Sequence, residues 1–191
     1  MIKEMKFKWV VLISVALSGF FLDWYTKFLA EKYLTYGMPH TILGDYLQLL
    51  LVYNKGAIFG LDPRKLIFGF PTNQFFFVFS ILAMILLAFY YHNIPKRERL
   101  MHWGIALVLP GALGNLFDRI IHAQKGVVDF IKIGISPDLY WPIFNFADIY
   151  ITIGVAILIY CFITEEKRRK KYESGIEAAK VDVTDQSSKI S

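Results

Sequence analysis

Residues 75–92 read FFFVFSILAMILLAFYYH, with no Asp, Glu, Lys or Arg among them, and this stretch decides the fold class. A helix needs roughly 20 predominantly apolar residues to cross the hydrocarbon core of a bilayer. Three further stretches reach that length: about residues 9–30, 101–121 and 143–164. The whole 191-residue chain is 55% hydrophobic, 17% aromatic and 19% charged, with mean hydropathy +0.44. Its apolar residues stand in long blocks, unlike the short amphipathic segments of a water-soluble core. The composition excludes a disordered chain. It predicts an all-α membrane protein of four transmembrane helices.

The basic residues set the expected orientation. Lys3, Lys6 and Lys8 precede the first span, Lys96, Arg97 and Arg99 join the second to the third, and Lys167, Arg168, Arg169, Lys170 and Lys171 follow the fourth. With four spans these clusters fall on one face, so both termini and the middle connection are expected in the cytoplasm. The net charge of +5 comes from these segment ends, which argues against a nucleic-acid partner. The first span resembles a signal peptide in its basic start. No small-x-small cleavage site follows its apolar run, and it continues through Trp24, Tyr25 and Phe28, so a retained helix is expected.

Two outer connections remain, residues 31–74 and 122–142. The first carries turn signals at Gly37, Pro39, Gly44, Asp62, Pro63 and Pro71. Within it TILGDYLQLLLVYN predicts a small extracytoplasmic β element on the membrane surface. The second is expected as a loop. The tail after Tyr172 is expected to be disordered or loosely helical, which divides the chain into a membrane domain over 1–163 and a basic, polar tail over 164–191.

Ionisable residues in spanning segments are costly and mark function. Here they gather at one boundary. Asp23 and Lys27 sit four apart on span one, where an interfacial ion pair is one reading. Asn115, Asp118 and Arg119 end span three, Asp129 follows in the next loop, and Asn145 and Asp148 open span four. Asp129 and Asp148 both lie in apolar sequence, Val127-Val128 and Phe130-Ile131 around one, Phe146-Ala147 and Ile149-Tyr150 around the other. Two buried carboxylates close together hold one proton between them. Such a pair can deprotonate water and hydrogen-bond a scissile carbonyl, hydrolysing an amide without a metal. Asp118 next to Arg119 reads as structural, and stands second as a catalytic acid.

The remaining chemistry-bearing residues read blandly. His40, His92, His102 and His122 show no metal-binding spacing, and Cys161 alone forms neither an internal disulfide nor a multi-cysteine site. Two other classes use intramembrane carboxylates. A proton- or cation-coupled carrier would place them at mid-bilayer depth in repeated, broken helices, and no repeat is visible. A magnesium-dependent lipid-headgroup enzyme could draw oxygen ligands from Asp118, Asp129 and Asp148.

Four motifs sharpen the choice. Tyr53–Gly60 (YNKGAIFG), Gly111–Arg119 (GALGNLFDR), Val127–Phe130 (VVDF) and Phe144–Asp148 (FNFAD), together with Asp23 and Lys27, resemble the bacterial lipoprotein signal peptidases, or signal peptidases II. The resemblance covers about residues 9–163. It implies a membrane aspartyl endopeptidase that cuts prolipoproteins before a diacylglyceryl-modified cysteine. It implies Asp129 and Asp148 as the catalytic pair, supported by Asn54, Gly56, Asn115, Arg119, Asn145, Asp23 and Lys27. No metal or other cofactor is implied. Expected partners are the lipid-modified prolipoproteins, membrane lipid and the inhibitor globomycin, with the site on the outer face of a bacterial inner membrane. Two departures stand out: Asp129 follows Arg119 by ten positions, about two more than the family pattern, and Pro110 stands where glycine is common.

Overall fold

The computed structural model describes residues 2–56, 72–95, 97–136 and 139–188. Ala57–Gly60 of the first motif, the turn signals Asp62, Pro63 and Pro71, and Lys96, Pro137 and Asp138 lie outside the described residues. Among the described residues, four helices are long and apolar enough to cross a membrane. They are α1 (Ile2–Tyr33), α2 (Thr72–Asn93), α3 (Arg99–Ile121) and α4 (Phe146–Ser188). At 1.5 Å per residue, even α2 reaches about 33 Å, the thickness of a hydrocarbon core.

Helix α3 is the hub, packed on α1, α2, α4 and the sheet. Over its spanning window 56% of residues are buried, against 6% in α2, whose outward side chains are apolar and suit lipid. Small residues allow that close packing, because helices in lipid gain from van der Waals fit rather than from excluding water. A side chain on Gly111 would strike the Ala147 carbonyl, and one on Gly154 would strike that of Gly104. Pro110 lies inside α3, buried against Gly19 of α1, and the helix continues past it. At the far end from the sheet, Leu12, Tyr91, Ile94, Met101, Ile105, Ala106, Val108 and Leu158 form one apolar cluster. There Lys8 Nζ donates to the Tyr91 carbonyl and Tyr91 Oη to the Lys8 carbonyl, both at 2.9 Å, tying the start of α1 to the end of α2.

A four-stranded antiparallel sheet caps the other end in the order β1 (His40–Leu43), β2 (Leu47–Asn54), β3 (Val127–Ser136), β4 (Leu139–Tyr140). Strands β1 and β2 fall where the β element was expected. Strands β3 and β4 correct the expectation of a loop over 122–142, and they place Asp129 on a strand. The β-branched residues Val127, Val128, Ile131 and Ile133 explain this: their stiff side chains favour a pleated surface. Asn54 pairs with Val127, Tyr53 with Val128 and Val52 with Asp129. Ala30, Leu51, Val128 and Phe130 close a second core beneath.

Helix α4 departs from expectation at its start. It begins at Phe146, so Asn145 stands just outside it. It continues to Ser188 through the segment expected to be disordered or loosely helical. Four-apart pairs, Glu166 with Lys170 at 2.7 Å and Arg169 with Glu173 at 3.7 Å, support the exposed continuation.

Candidate functional site

The first turn of α4 supplies the frame. Asn145 Oδ1 accepts from the Asp148 backbone N–H at 3.0 Å, and the Asn145 N–H donates to Asp148 Oδ2 at 3.2 Å. This reciprocal arrangement is a capping box, with asparagine as the cap and aspartate three residues on. A third amide, Ala147 N–H, donates to Asp23 Oδ1 of α1 at 2.8 Å. Helix starts carry free N–H groups and partial positive charge, so carboxylates are favoured there.

Asp23 and Lys27 are 0% and 3% exposed, so their pair is buried rather than interfacial. Lys27 Nζ lies 2.7 Å from Asp23 Oδ2, 2.9 Å from Asp118 Oδ2 and 3.1 Å from Asn115 Oδ1. These three acceptors use all three ammonium donors. Asp118 Oδ2 also accepts from the Val128 N–H at 3.1 Å, pinning β3 to α3 one residue before Asp129.

Asp129 is 2% exposed and lies between two amide groups. Asn145 Nδ2 is 2.7 Å from its Oδ1, and Asn54 Nδ2 is 2.9 Å from its Oδ2. Asn54 Oδ1 in turn accepts from Gly56 N–H at 2.8 Å. Gly56 has φ +106°, and a side chain there would run into Phe76 of α2, so the turn behind Asn54 calls for glycine. Asn115 Nδ2 donates to Asp148 Oδ1 at 2.9 Å. Buried Asn145 joins the two halves: its amide nitrogen also lies 3.2 Å from Asn115 Oδ1 and from the Val128 carbonyl. Arg119 Nη1 donates to the Asn115 carbonyl at 3.0 Å, and its guanidinium lies 5.5 Å from the Phe76 ring centre. Its Nε has no hydrogen-bond partner among the described residues.

All nine residues expected to form the site therefore converge. Asp129 and Asp148 share Asn145 as a common donor, yet differ in surroundings, since Asp148 is only half-buried. Burial first, and then the Asp148 charge, push the Asp129 carboxyl up to about 7. The charge balance runs the same way. Asp23, Asp118, Asp129 and Asp148 face Lys27 and Arg119, so full ionisation leaves two excess negative charges in a poorly solvated place. Among the described residues no three His, Cys, Asp or Glu side chains group as a metal site. Two carboxyls joined through one asparagine, with Asp129 held toward its protonated form, make a candidate acid–base pair.

Sequence reasoning missed a neighbouring cluster of Glu31, Tyr53, His122 and Lys125. Tyr53 Oη donates to Glu31 Oε1 at 2.8 Å, and His122 Nε2 lies 3.2 Å from the same oxygen. Its members come from three distant segments, and no local pattern signalled it.

Comparison with known proteins gives consistent matches. The family model described as Signal peptidase (SPase) II matches residues 15–164. A lipoprotein signal peptidase of Aquifex aeolicus is 39% identical over 81% of this chain and 86% of its own. One from Clostridium novyi is 32% identical over 81% of this chain and 99% of its own. Among solved structures, a bacterial membrane enzyme determined by the in meso method at 2.3 Å is similar, with TM-score 0.69 and 29% identity, over 81% of this chain and 88% of that one.

Proposed function

This chain belongs to the signal peptidase II family, and on that premise we propose that it hydrolyses diacylglyceryl-modified prolipoproteins before the lipidated cysteine, using Asp129 and Asp148 as paired carboxyls. The observation that carries the assignment is Asn145, which donates to Asp129 from its side chain and to Asp148 from its backbone.

The surroundings assign the roles. Half-buried Asp148, at the start of α4, is the general base and takes a proton from water. The hydroxide attacks the scissile carbonyl while Asp129, protonated up to about pH 7, gives its proton to the carbonyl oxygen. Asp148 then protonates the leaving amine as the C–N bond breaks, and Asp129 recovers its proton from the tetrahedral hydroxyl. Asn54, Asn115 and Asn145 orient the carboxyls, Gly56 shapes the turn behind Asn54, Asp23 and Lys27 brace the start of α4, and the spare donors of Arg119 bind substrate carbonyls.

The protein is a bacterial membrane protein, with the catalytic unit over 1–163 and an appended tail over 164–191. Its sheet faces outward and both termini face the cytoplasm. This orientation is supported by Arg97, Arg99 and the Lys167–Lys170 run, which lie at the end away from the sheet. Acyl chains of the substrate stay in the bilayer, so anchoring energy from lipid helps place the bond. Globomycin would occupy the same cleft. Nothing in the site favours a carrier. The test is incubation of purified protein with a diacylglyceryl-modified preprolipoprotein, with and without globomycin. Release of the signal peptide, blocked by the inhibitor, is expected; an unprocessed substrate rejects the reading.

A further inference from the structure

Beside the paired carboxyls, three elements meet on Tyr53. Glu31 comes from the last turns of α1, and its Oε1 accepts the Tyr53 hydroxyl at 2.8 Å. His122 follows α3 directly, 3.2 Å from that same oxygen, with its ring 5.7 Å from the phenol ring. Lys125 lies over the phenol at 4.8 Å, and Tyr36 stacks on it at 5.8 Å. His122 and Lys125 belong to the connection between α3 and β3. That connection closes on itself through the Lys125 and Gly126 N–H groups donating to the His122 carbonyl at 2.9 and 2.8 Å. It is also tied to α2, where Asn73 Nδ2 donates to the Ala123 carbonyl at 2.7 Å. This connection is therefore a strap across the end of β2.

Tyr53 immediately precedes Asn54 on that strand end, and successive side chains of a strand point to opposite faces. Tyr53 is thus held on one side while Asn54 reaches Asp129 on the other. Its strand partner is Val128, fully buried and next to Asp129. Burial, and then the hydrogen bond to Glu31, hold the phenol up at about 12, so it stays a donor across the working range.

We propose that Tyr53 is a positioning residue for the peptidase reaction: anchored by Glu31 and covered by the His122–Lys125 strap, it fixes the register in which Asn54 gives its amide to Asp129. The inference rests on the assignment of Asp129 as a catalytic carboxyl. An amide donor favours the ionised carboxylate. Loosening Asn54 should therefore let Asp129 keep its proton to higher pH, in the unchanged company of Asp148, Lys27, Asp118 and Arg119. Tyr53 itself faces Glu31, Tyr36, His122, Lys125 and, further off, Asp118.

The test uses the full-length protein and one cleavage assay, run across pH for wild type, Y53F, E31A, E31Q, N54A and Y53F/N54A. Y53F and E31A should each lower kcat by about tenfold with KM within about twofold, as expected when a reacting group is slightly misplaced. Both should move the upper limb of the pH profile upward. E31Q retains an acceptor oxygen and should restore most of the rate. The double variant should be no slower than N54A, since a residue acting through Asn54 has nothing left to act on. A Y53F enzyme with wild-type kcat and pH profile, a loss confined to KM, or losses that add to those of N54A would overturn the proposal. A wild type that leaves the prolipoprotein uncut would instead reject the peptidase reading itself.

Discussion

Asn145 sets its side-chain nitrogen 2.7 Å from Asp129 Oδ1, bridging strand β3 to the start of α4. One asparagine thereby caps the helix that carries Asp148 and holds the strand that carries Asp129. Replacing it by alanine should lower stability by about 1 kcal/mol for the lost cap alone. The same change should slow cleavage by about a hundredfold, because Asp129 loses a fixed donor and the Asp148 N–H loses the side chain that holds the helix start. Asn145→Asp keeps a capping oxygen but sets a buried carboxylate against Asp129, so it should lose both stability and cleavage, the stability loss exceeding that of the alanine variant. Melting in detergent and prolipoprotein cleavage, measured side by side, check both variants.

Lys27 is the counterion of two buried carboxylates, Asp23 at 2.7 Å and Asp118 at 2.9 Å. Lys27→Met should therefore destabilise the protein by roughly 3–5 kcal/mol, as uncompensated buried charges do. Adding Asp23→Asn should recover part of that loss, since one stranded charge disappears. Denaturant titration of the single and double variants reads out the coupling. Equal stability of Lys27→Met and wild type would show the pair to be dispensable.

The elevated Asp129 carboxyl predicts how pH acts on rate and on stability. Its protonated form is the acid, so kcat/KM should fall as pH rises through about 7. That limb belongs to the coupled pair rather than to one residue. For stability the folded state binds the proton more tightly than the unfolded chain, whose carboxyl titrates near 3.8. Unfolding then releases a proton between those values, and stability declines as pH rises from about 4 to 7. The penalty is absent below that window and complete above it. Melting temperatures of wild type and Asp129→Asn should accordingly shift relative to each other across pH 4–7, in favour of the variant, and run parallel above pH 8.

Gly114 leaves room for the Asp23 carboxylate, and a methyl group there would fall onto it. Gly114→Ala should displace Asp23 from both Lys27 and the Ala147 N–H, reducing melting temperature and cleavage together. Unchanged values for both would show that the α1–α3 contact yields without disturbing the site.

The helices were legible because each apolar run is long enough to have no other solution. The polar site was legible for a related reason, since Asp23, Lys27, Asn115, Asp118 and Arg119 stand out against such runs. Strand β3 was harder. Asp129, Lys132 and Gly134 interrupt its β-branched residues, and its pairing partner β2 lies more than seventy positions earlier, a contact that no local pattern records. The offset of Asn145 from α4 was hidden too: a cap three residues before an aspartate has the same spacing as two residues on one helical face. The Glu31–Tyr53–His122 cluster joins three distant segments, and nothing in each alone marks it.

The most direct measurement is single-turnover cleavage of a diacylglyceryl-modified preprolipoprotein by wild type, Asp129→Asn and Asp148→Asn, each shown to be folded in detergent. Paired-carboxyl catalysis predicts that wild type releases the signal peptide and that each variant is slower by about a thousandfold or more. Cleavage by either variant within about tenfold of wild type would contradict it, because a single carboxyl would then suffice.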